Sequence, residues 1–319
     1  MILLNYVEFF QCTHFMEKKN SLDPVDIVDL CSLKKCIINE SDMKKWILSP
    51  AFQMLNQTLL LLNNSVRSIP RSTSYISRPI ISKLLEAITC LFDTMKEIKP
   101  NHSSTRYGNY AFRSWLTQVW EKRSMILEDV TDNHESQEYF CQSFGSWTRI
   151  DFGTGHELNF LAFISTLFSD GILLPEDAPA IVFDVFWSYY DLTIALQTRY
   201  NLEPAGSHGS WGVDDYVALP FVFGSSQLID HPKITPLNVI EEEVAAEYKD
   251  DYLYCRWIYY IHQVKKGPFS ETARILYSIK DLPHFQKLNN GMLKMYKGEI
   301  FDRYLVIRHF RFGEILKWE

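Results

Sequence analysis

The sequence lacks the marks of several large protein classes. No apolar run approaches the roughly 18 residues needed to cross a membrane; the densest, Leu59 to Leu62, is far too short. Met1 through Glu8 carry no basic region and end on an acid, so a secretory signal is not expected. A basic surplus is missing too: the net charge of -7 argues against a general nucleic-acid binder, which needs Lys and Arg to neutralise phosphates. None of the six cysteines (Cys12, Cys31, Cys36, Cys90, Cys141, Cys255) falls in a C-x-x-C pair, and the close pair Cys31 and Cys36 has no partner pair downstream. Reduced, buried thiols of an intracellular protein are expected rather than a zinc site or a disulfide framework. There is no P-loop, no kinase Gly-rich loop with its H-R-D and D-F-G partners, and no G-x-S-x-G elbow. His156-Glu157 has no second histidine at zinc-protease spacing, and the Asp-His and Asn-His motifs of a metallophosphatase are absent. The chain is therefore not expected to be an ordinary ATPase, a protease or a phosphatase. It reads as a soluble cytoplasmic protein, with the nucleus left open because Lys44-Lys45 and Lys265-Lys266 are too short for an import cluster.

What is present is a helical pattern on a globular composition. Of 319 residues, 46% are hydrophobic and 14% aromatic, enough for a sizeable core in one large domain or two small ones. In the stretch 77–99, Ile81, Leu84, Leu85, Ile88, Leu91, Phe92, Met95 and Ile98 recur at three- and four-residue steps until Pro100. This is one apolar stripe on a helix. The same reading predicts a helix over 175–200, through Ile181, Val185, Tyr189, Leu192 and Leu196. Shorter helices are predicted over 50–66, 110–122, 156–168, 251–265 and 291–304. No convincing period-2 strand and no βαβ alternation is seen, so the class is all-α. The Ser/Thr/Arg/Pro-rich stretch 67–78 reads as a loop, and the polar stretch 128–138 as a break in the chain. The first thirty or so residues are the least interpretable.

Three segments interrupt this pattern. The first runs from Trp147 to Glu157 through Arg149, Gly153, Thr154 and Gly155 into an apolar helix. Thr154 would cap that helix. Its first amides would favour an anion, with Arg149 adding a charge-assisted bond. A capped loop with Arg149 in a salt bridge explains the segment equally well. The second, Glu203 to Tyr216, sets glycines around Trp211 and the adjacent carboxylates Asp214 and Asp215. Either carboxylate would suit a hard cation such as Mg²⁺. Alternatively, Asp214 caps the following helix and Trp211 is core. The third, Val306 to Gly313, alternates basic and aromatic residues. It could stack on a base while touching phosphate, or be a docked terminus with snorkelling arginines.

Taken in order, a set of stretches resembles the phosphotyrosyl phosphatase activators, also called protein phosphatase 2A activators. They are Asp42-Met43-Lys44-Lys45-Trp46 with Ser49; Tyr107-Gly108-Asn109-Tyr110-Ala111-Phe112-Arg113; Arg149 through Glu157; and Glu203 through Tyr216. Leu219-Pro220-Phe221, Gly224 through Pro232, Gly267-Pro268-Phe269, Met295-Tyr296-Lys297 and His309-Phe310-Arg311-Phe312-Gly313 complete it. The resemblance covers the chain from about Lys34 onward and implies a domain over 34–319, leaving 1–33 as a separate N-terminal segment. Phe152 stands where Tyr is common, and Val213 where Leu is usual.

The resemblance implies an all-α fold with core, lid and linker subdomains. It implies a peptidyl-prolyl cis/trans isomerase that activates the catalytic subunit of protein phosphatase 2A or a 2A-like enzyme, using ATP and Mg²⁺ at a shared pocket. By motif match, Arg149, Thr154, Gly155, His309, Phe310 and Arg311 would meet the nucleotide, and Gly209 and Asp215 the Mg²⁺. Trp211 with Asp214 nearby would suit a groove for a proline-containing peptide, and a homodimer formed on substrate is left open. No nucleophile is required, because the barrier of about 20 kcal/mol comes from amide resonance and yields to a site that favours the twisted amide. Two other readings compete: an ATP-dependent chaperone that clamps the phosphatase and helps load its metals, and a helical scaffold with no ligand.

Overall fold

The computed structural model describes residues 31–101, 108–206 and 213–319. Cys12, Gly209 and Trp211, most of the 1–33 segment, and Tyr107 of the Tyr107–Arg113 stretch lie outside them.

Prolines open the first two long helices. α1 (Met43–Leu48) ends at Ser49, whose Oγ accepts from the Phe52 amide at 3.1 Å and so caps α2 (Pro50–Ser65), with Pro50 at its first position. Pro79 plays the same part for α3 (Pro79–Glu97), the helix expected over 77–99. α4 (Ala111–Ile126) follows. The stretch 128–138 is not the break its polarity suggests. Asn133 Oδ1 accepts from the Glu135 and Ser136 amides, and α5 (His134–Gln142) starts there with Glu135 and Glu138 buried. Hydrogen bonds replace the water those carboxylates would otherwise need.

α6 (Thr154–Ser169) is buried on nearly every side, so it carries no amphipathic stripe and runs through the middle of the molecule. α2, α5 and the short α12 (Tyr304–Ile307) pack on it. The helix expected over 175–200 is interrupted. After a single turn at Pro175–Asp177 the chain passes through a π-helical stretch, Ile181–Phe186, before α7 (Trp187–Tyr200). Wide π turns leave carbonyls available. Phe183 O accepts from Arg71 Nε at 2.8 Å, which ties down the 67–78 loop. The Arg71 and Arg256 guanidiniums lie 4.4 and 4.5 Å from the Trp187 ring centroid.

A second buried helix, α8 (Leu219–Gln227), is the one expected to follow Asp214, and it opens beyond the Tyr216 and Val217 amides that this carboxylate bonds. All nine of its residues are buried, and α10 (Leu253–Val264) and α11 (Phe285–Tyr296) pack against it. α9 (Glu242–Tyr248) sits on α10. The helix expected over 291–304 starts earlier, where His284 Nδ1 accepts from the Lys287 amide, and turns π-helical over Lys297–Phe301.

The fold is mostly helical, as periodicity predicts. Its one sheet among the described residues is minimal: β1 (Asp151–Phe152) pairs in parallel with β2 (Glu203–Pro204). Two residues are too few to show alternation in sequence, yet this pair joins the two Gly-rich segments. No helix among the described residues is long and apolar enough to cross a membrane. No disulfide links the described cysteines, and Cys141 and Cys255 are fully buried.

Candidate functional site

The β1–β2 pair fixes where the site lies. Gly153 follows β1, and a Cβ there would stand 2.9 Å from Ala205 Cβ and 3.1 Å from Ala205 O, so only glycine lets the two segments meet. Gly153 is also the residue that caps α6. Its amide donates to His156 Nδ1 at 3.2 Å, and its carbonyl accepts from the His156 and Glu157 amides. Thr154 is thus the first helical residue and not the expected cap; the cap is Gly153, whose own amide the His156 ring satisfies from the third helical position.

The first turn of α6 opens onto a cleft of about 610 Å³, within the range of small-molecule sites. One wall is the turn 145–151, a second is the start of α6, and Ala205 and Gly206 form a third. The fourth is a C-terminal strap running from Arg303 to Arg311. Arg149, Thr154, Gly155, His309, Phe310 and Arg311, which the resemblance groups although they come from two distant segments, all line this one cleft.

The 145–151 turn is tightly made. Ile150, a β-branched residue, sits at φ 55, a conformation that costs energy for such a side chain. Neighbours hold it there. Ser146 N and Ile150 N close the turn onto Asp151 O and Ser146 O. Arg113 donates from Nε to Trp147 O and from Nη2 to Thr148 O, both at 3.0 Å, with its guanidinium over the Trp147 and Tyr110 rings. Sequence reasoning gave Arg113 no role, although it stood in a stretch already marked.

Arg149 makes the salt bridge that one reading of its segment expects and stays open to the cleft. Its Nε bonds Asp151 Oδ2 at 2.6 Å, and its half-exposed side chain still faces the cleft. Burial pushes the Asp151 carboxyl up, with Arg149 pulling the other way. Asp151 Oδ1 and Asn159 Oδ1 are buried and have no hydrogen-bond partner among the described residues. Both residues line the cleft, and both atoms remain available to a donor. His156 stacks on Phe152; burial, followed by Arg149 and His309, pulls its pKa down to about 3. His309 is drawn down to about 4, by burial first and then by Arg149, Arg308 and Lys35. Two neutral imidazoles and several arginines make a site suited to an anion.

The third segment divides its residues. Phe310 is 2% exposed, stacked on Tyr139 at 5.5 Å and close to Trp46; Phe312 is equally buried. Those rings belong to the core, so the docked-terminus reading holds for them and base stacking by Phe310 does not. Arg308, His309 and Arg311 face the cleft.

Beneath the site, Glu157 is fully buried at the start of α6. Its carboxylate accepts from Tyr190 Oη at 2.9 Å, Ala218 N at 2.9 Å and Leu219 N at 3.1 Å, so it fastens the start of α8 to α6. Burial pushes its pKa up to about 8 against the pull of those donors. Sequence alone weighed Glu157 only as part of a zinc motif.

The second Gly-rich segment is placed differently. Asp214 is 8% exposed, and its Oδ2 accepts from the Tyr216 and Val217 amides, short of α8. It does not cap that helix; Glu157 holds the helix's first amides instead. Asp214 borders a small apolar cavity shared with Thr154, Met292 and Tyr296. Asp215 pairs with Lys265 Nζ at 2.7 Å. Neither carboxylate lines the large cleft. Among the described residues no three His, Cys, Asp or Glu side chains gather as a metal cage.

Comparison with known proteins places this geometry in context. The family model for phosphotyrosyl phosphate activator (PTPA) protein matches residues 33–318. A serine/threonine-protein phosphatase 2A activator of Drosophila melanogaster is 35% identical over 296 residues, 91% of this chain and 74% of that one. A probable serine/threonine-protein phosphatase 2A activator 1 of Dictyostelium discoideum is 36% identical, covering 92% and 94%. Among solved structures, the crystal structure of the PP2A phosphatase activator Ypa1 PTPA1 superposes with a TM-score of 0.81 at 33% identity, over 88% of this chain and 93% of that one.

Proposed function

The chain belongs to the phosphotyrosyl phosphate activator family, and from that premise we propose that it activates the catalytic subunit of a phosphatase 2A-like enzyme by isomerising an X-Pro bond, with ATP and Mg²⁺ at the cleft. The observation that carries the reading is convergence. Six residues from sequence positions 149 to 311, which the motif match assigns to a nucleotide, line one cleft, five of them outside the core and Phe310 from within it.

The residues fit a nucleotide. Gly155 leaves open space on its cleft side, where the nearest atom to an added Cβ is Val306 Cγ1 at 3.8 Å. The amides of the first α6 turn and Arg149 would hold phosphate. His309, kept neutral, would donate to or accept from the ligand, while Arg308 and Arg311 balance its charge. Bound Mg²⁺ would neutralise phosphate charge, and it usually keeps waters and only one or two protein carboxylates. Asp215 and the Gly209 carbonyl are the ligands the resemblance implies; Asp215 is paired with Lys265 and does not line the cleft, so it would have to leave that partner and approach the phosphates to serve. For the peptide, Trp211 would supply the apolar face that favours a twisted, desolvated amide. Asp214 holds the 214–217 turn that follows Trp211 in the chain.

The test is a pull-down and Ser/Thr phosphatase assay with purified phosphatase 2A catalytic subunit, with and without ATP and Mg²⁺. Binding with a nucleotide-dependent gain of activity is expected; no binding under any condition would overturn the proposal. Asp215→Ala then separates two routes. If it abolishes activation but leaves isomerisation of a proline peptide intact, the chaperone route replaces the isomerase one.

A further inference from the structure

The strap that walls the cleft is gripped from outside the cleft by a buried carboxylate. α5 carries Glu135 and Glu138, three residues apart and so on one face. Glu135 is 7% exposed. Its Oε2 accepts from the Glu314 and Ile315 amides at 2.6 and 2.7 Å, and its Oε1 from the Leu316 amide at 2.8 Å. Three consecutive backbone donors thus converge on one side chain. Gly313 makes room for this, since a Cβ there would stand 2.8 Å from Oε1 and closer still to Oε2.

The same helix holds the strap's neighbour. Glu138 accepts from the Ser32 and Leu33 amides. Lys34 and Phe312 exchange two backbone bonds of 2.8 and 2.9 Å, and Arg311 Nη1 donates to Leu33 O. Tyr139 Oη donates to Arg311 O at 2.8 Å. His309 and Arg311 therefore stand where they do because the backbone on their C-terminal side is tied to α5. A buried carboxylate tolerates no half-measure: without its donors it is stranded, so the strap is either seated or released.

We propose that Glu135 is a positioning residue for the cleft: by gripping Glu314–Leu316 it seats the strap and thereby sets the affinity of the cleft for a phosphate-bearing ligand. The ligand rests on the nucleotide reading above; the grip does not.

Two variants approach the contact from opposite sides. Glu135→Gln turns an NH₂ toward a backbone donor, and Gly313→Ala pushes the carboxylate away without altering a charge. Both are expected to speed hydrogen exchange at the 314–316 amides. Both should also weaken ATP·Mg²⁺ binding about tenfold or more, measured well below each variant's melting transition. The double variant should bind no worse than the weaker single one, because both break the same contact. A merely structural role would lower melting temperature and leave affinity alone, so faster exchange with wild-type affinity overturns the positioning role. Unchanged exchange in both variants overturns the grip. Should Glu135→Gln fail to fold, Gly313→Ala carries the same test. Wild-type protein that binds no ATP overturns the nucleotide reading instead, and the same titrations with inorganic pyrophosphate then decide whether the strap sets cleft affinity.

Discussion

His156 touches the cap, the cleft and the core at once. Its ring reaches Gly153 N and stacks on Phe152, and burial first, then the charges of Arg149 and His309, keep it neutral. Its folded pKa of about 3 lies below the ordinary 6.5. Between those values the unfolded chain holds a proton that the folded one refuses, so stability rises with pH across the window and is complete above it. Replacing His156 with Asn keeps an acceptor near Gly153 N and removes the titration. In urea melts, wild-type stability relative to His156→Asn should therefore be lower at about pH 5 than at about pH 7. A constant difference would mean the ring is not held neutral. At this scale sequence was a partial guide. It marked Arg149, Gly155 and His309 because glycines and a basic tail are visible in one dimension. It assigned the cap to Thr154, because Ser and Thr are the usual caps, whereas the cap is Gly153, one residue earlier. Glu157 and Arg113 stood in marked stretches but received no such role, since their partners Tyr190, Ala218, Trp147 and Thr148 lie far along the chain or across a turn.

Helices were legible where one face is apolar and illegible where none or all is. α3 shows a clean stripe and was read to within two residues at each end. α5 reads as polar because its buried Glu135, Gln137 and Glu138 are satisfied by partners that sequence does not reveal. α8 is short and buried all round, so its Leu219-Pro220-Phe221 opening gave no periodicity. Its close fit to α10 is directly testable. A Cβ on Gly224 would fall inside contact distance of Tyr254 N and 2.7 Å from Tyr254 Cα, and backbone cannot yield as a side-chain tip does. Gly224→Ala should cost roughly 1–3 kcal/mol through overpacking, despite the gain of about 1 kcal/mol in helix propensity. A thermal melt equal to or above wild type would show that the helices can separate freely. The π stretch at Ile181–Phe186 is another feature periodicity cannot report, and the Arg71 that bonds its Phe183 carbonyl lies more than a hundred residues upstream.

Across the whole molecule, buried side chains from Leu33 to Leu316 form one contiguous apolar cluster, with the cleft at its surface between α6 and the strap. A ligand in that cleft would bridge segments far apart in the chain, so binding should stabilise the fold as a unit. With ATP·Mg²⁺ at a hundred times its dissociation constant, the gain is about 2.7 kcal/mol, on the order of 5 °C in melting temperature for a chain this long. Differential scanning fluorimetry checks it; no shift with ATP·Mg²⁺ at saturating concentration would argue that the cleft does not take the nucleotide. By itself the sequence determined the class, the main helices and the identity of the residues that meet at the cleft. These depend on local periodicity, on glycine's backbone freedom and on motif order, all of which are written along the chain. Only the tertiary structure decided that the two Gly-rich segments touch through β1 and β2, that Phe310 belongs to the core, and that Asp214 and Asp215 stand apart from the cleft. It likewise decided that buried carboxylates at positions 135, 138 and 157 hold the pieces in place. A buried carboxyl group is stable only beside hydrogen-bond partners supplied from elsewhere in the fold, and which partners arrive is a property of packing.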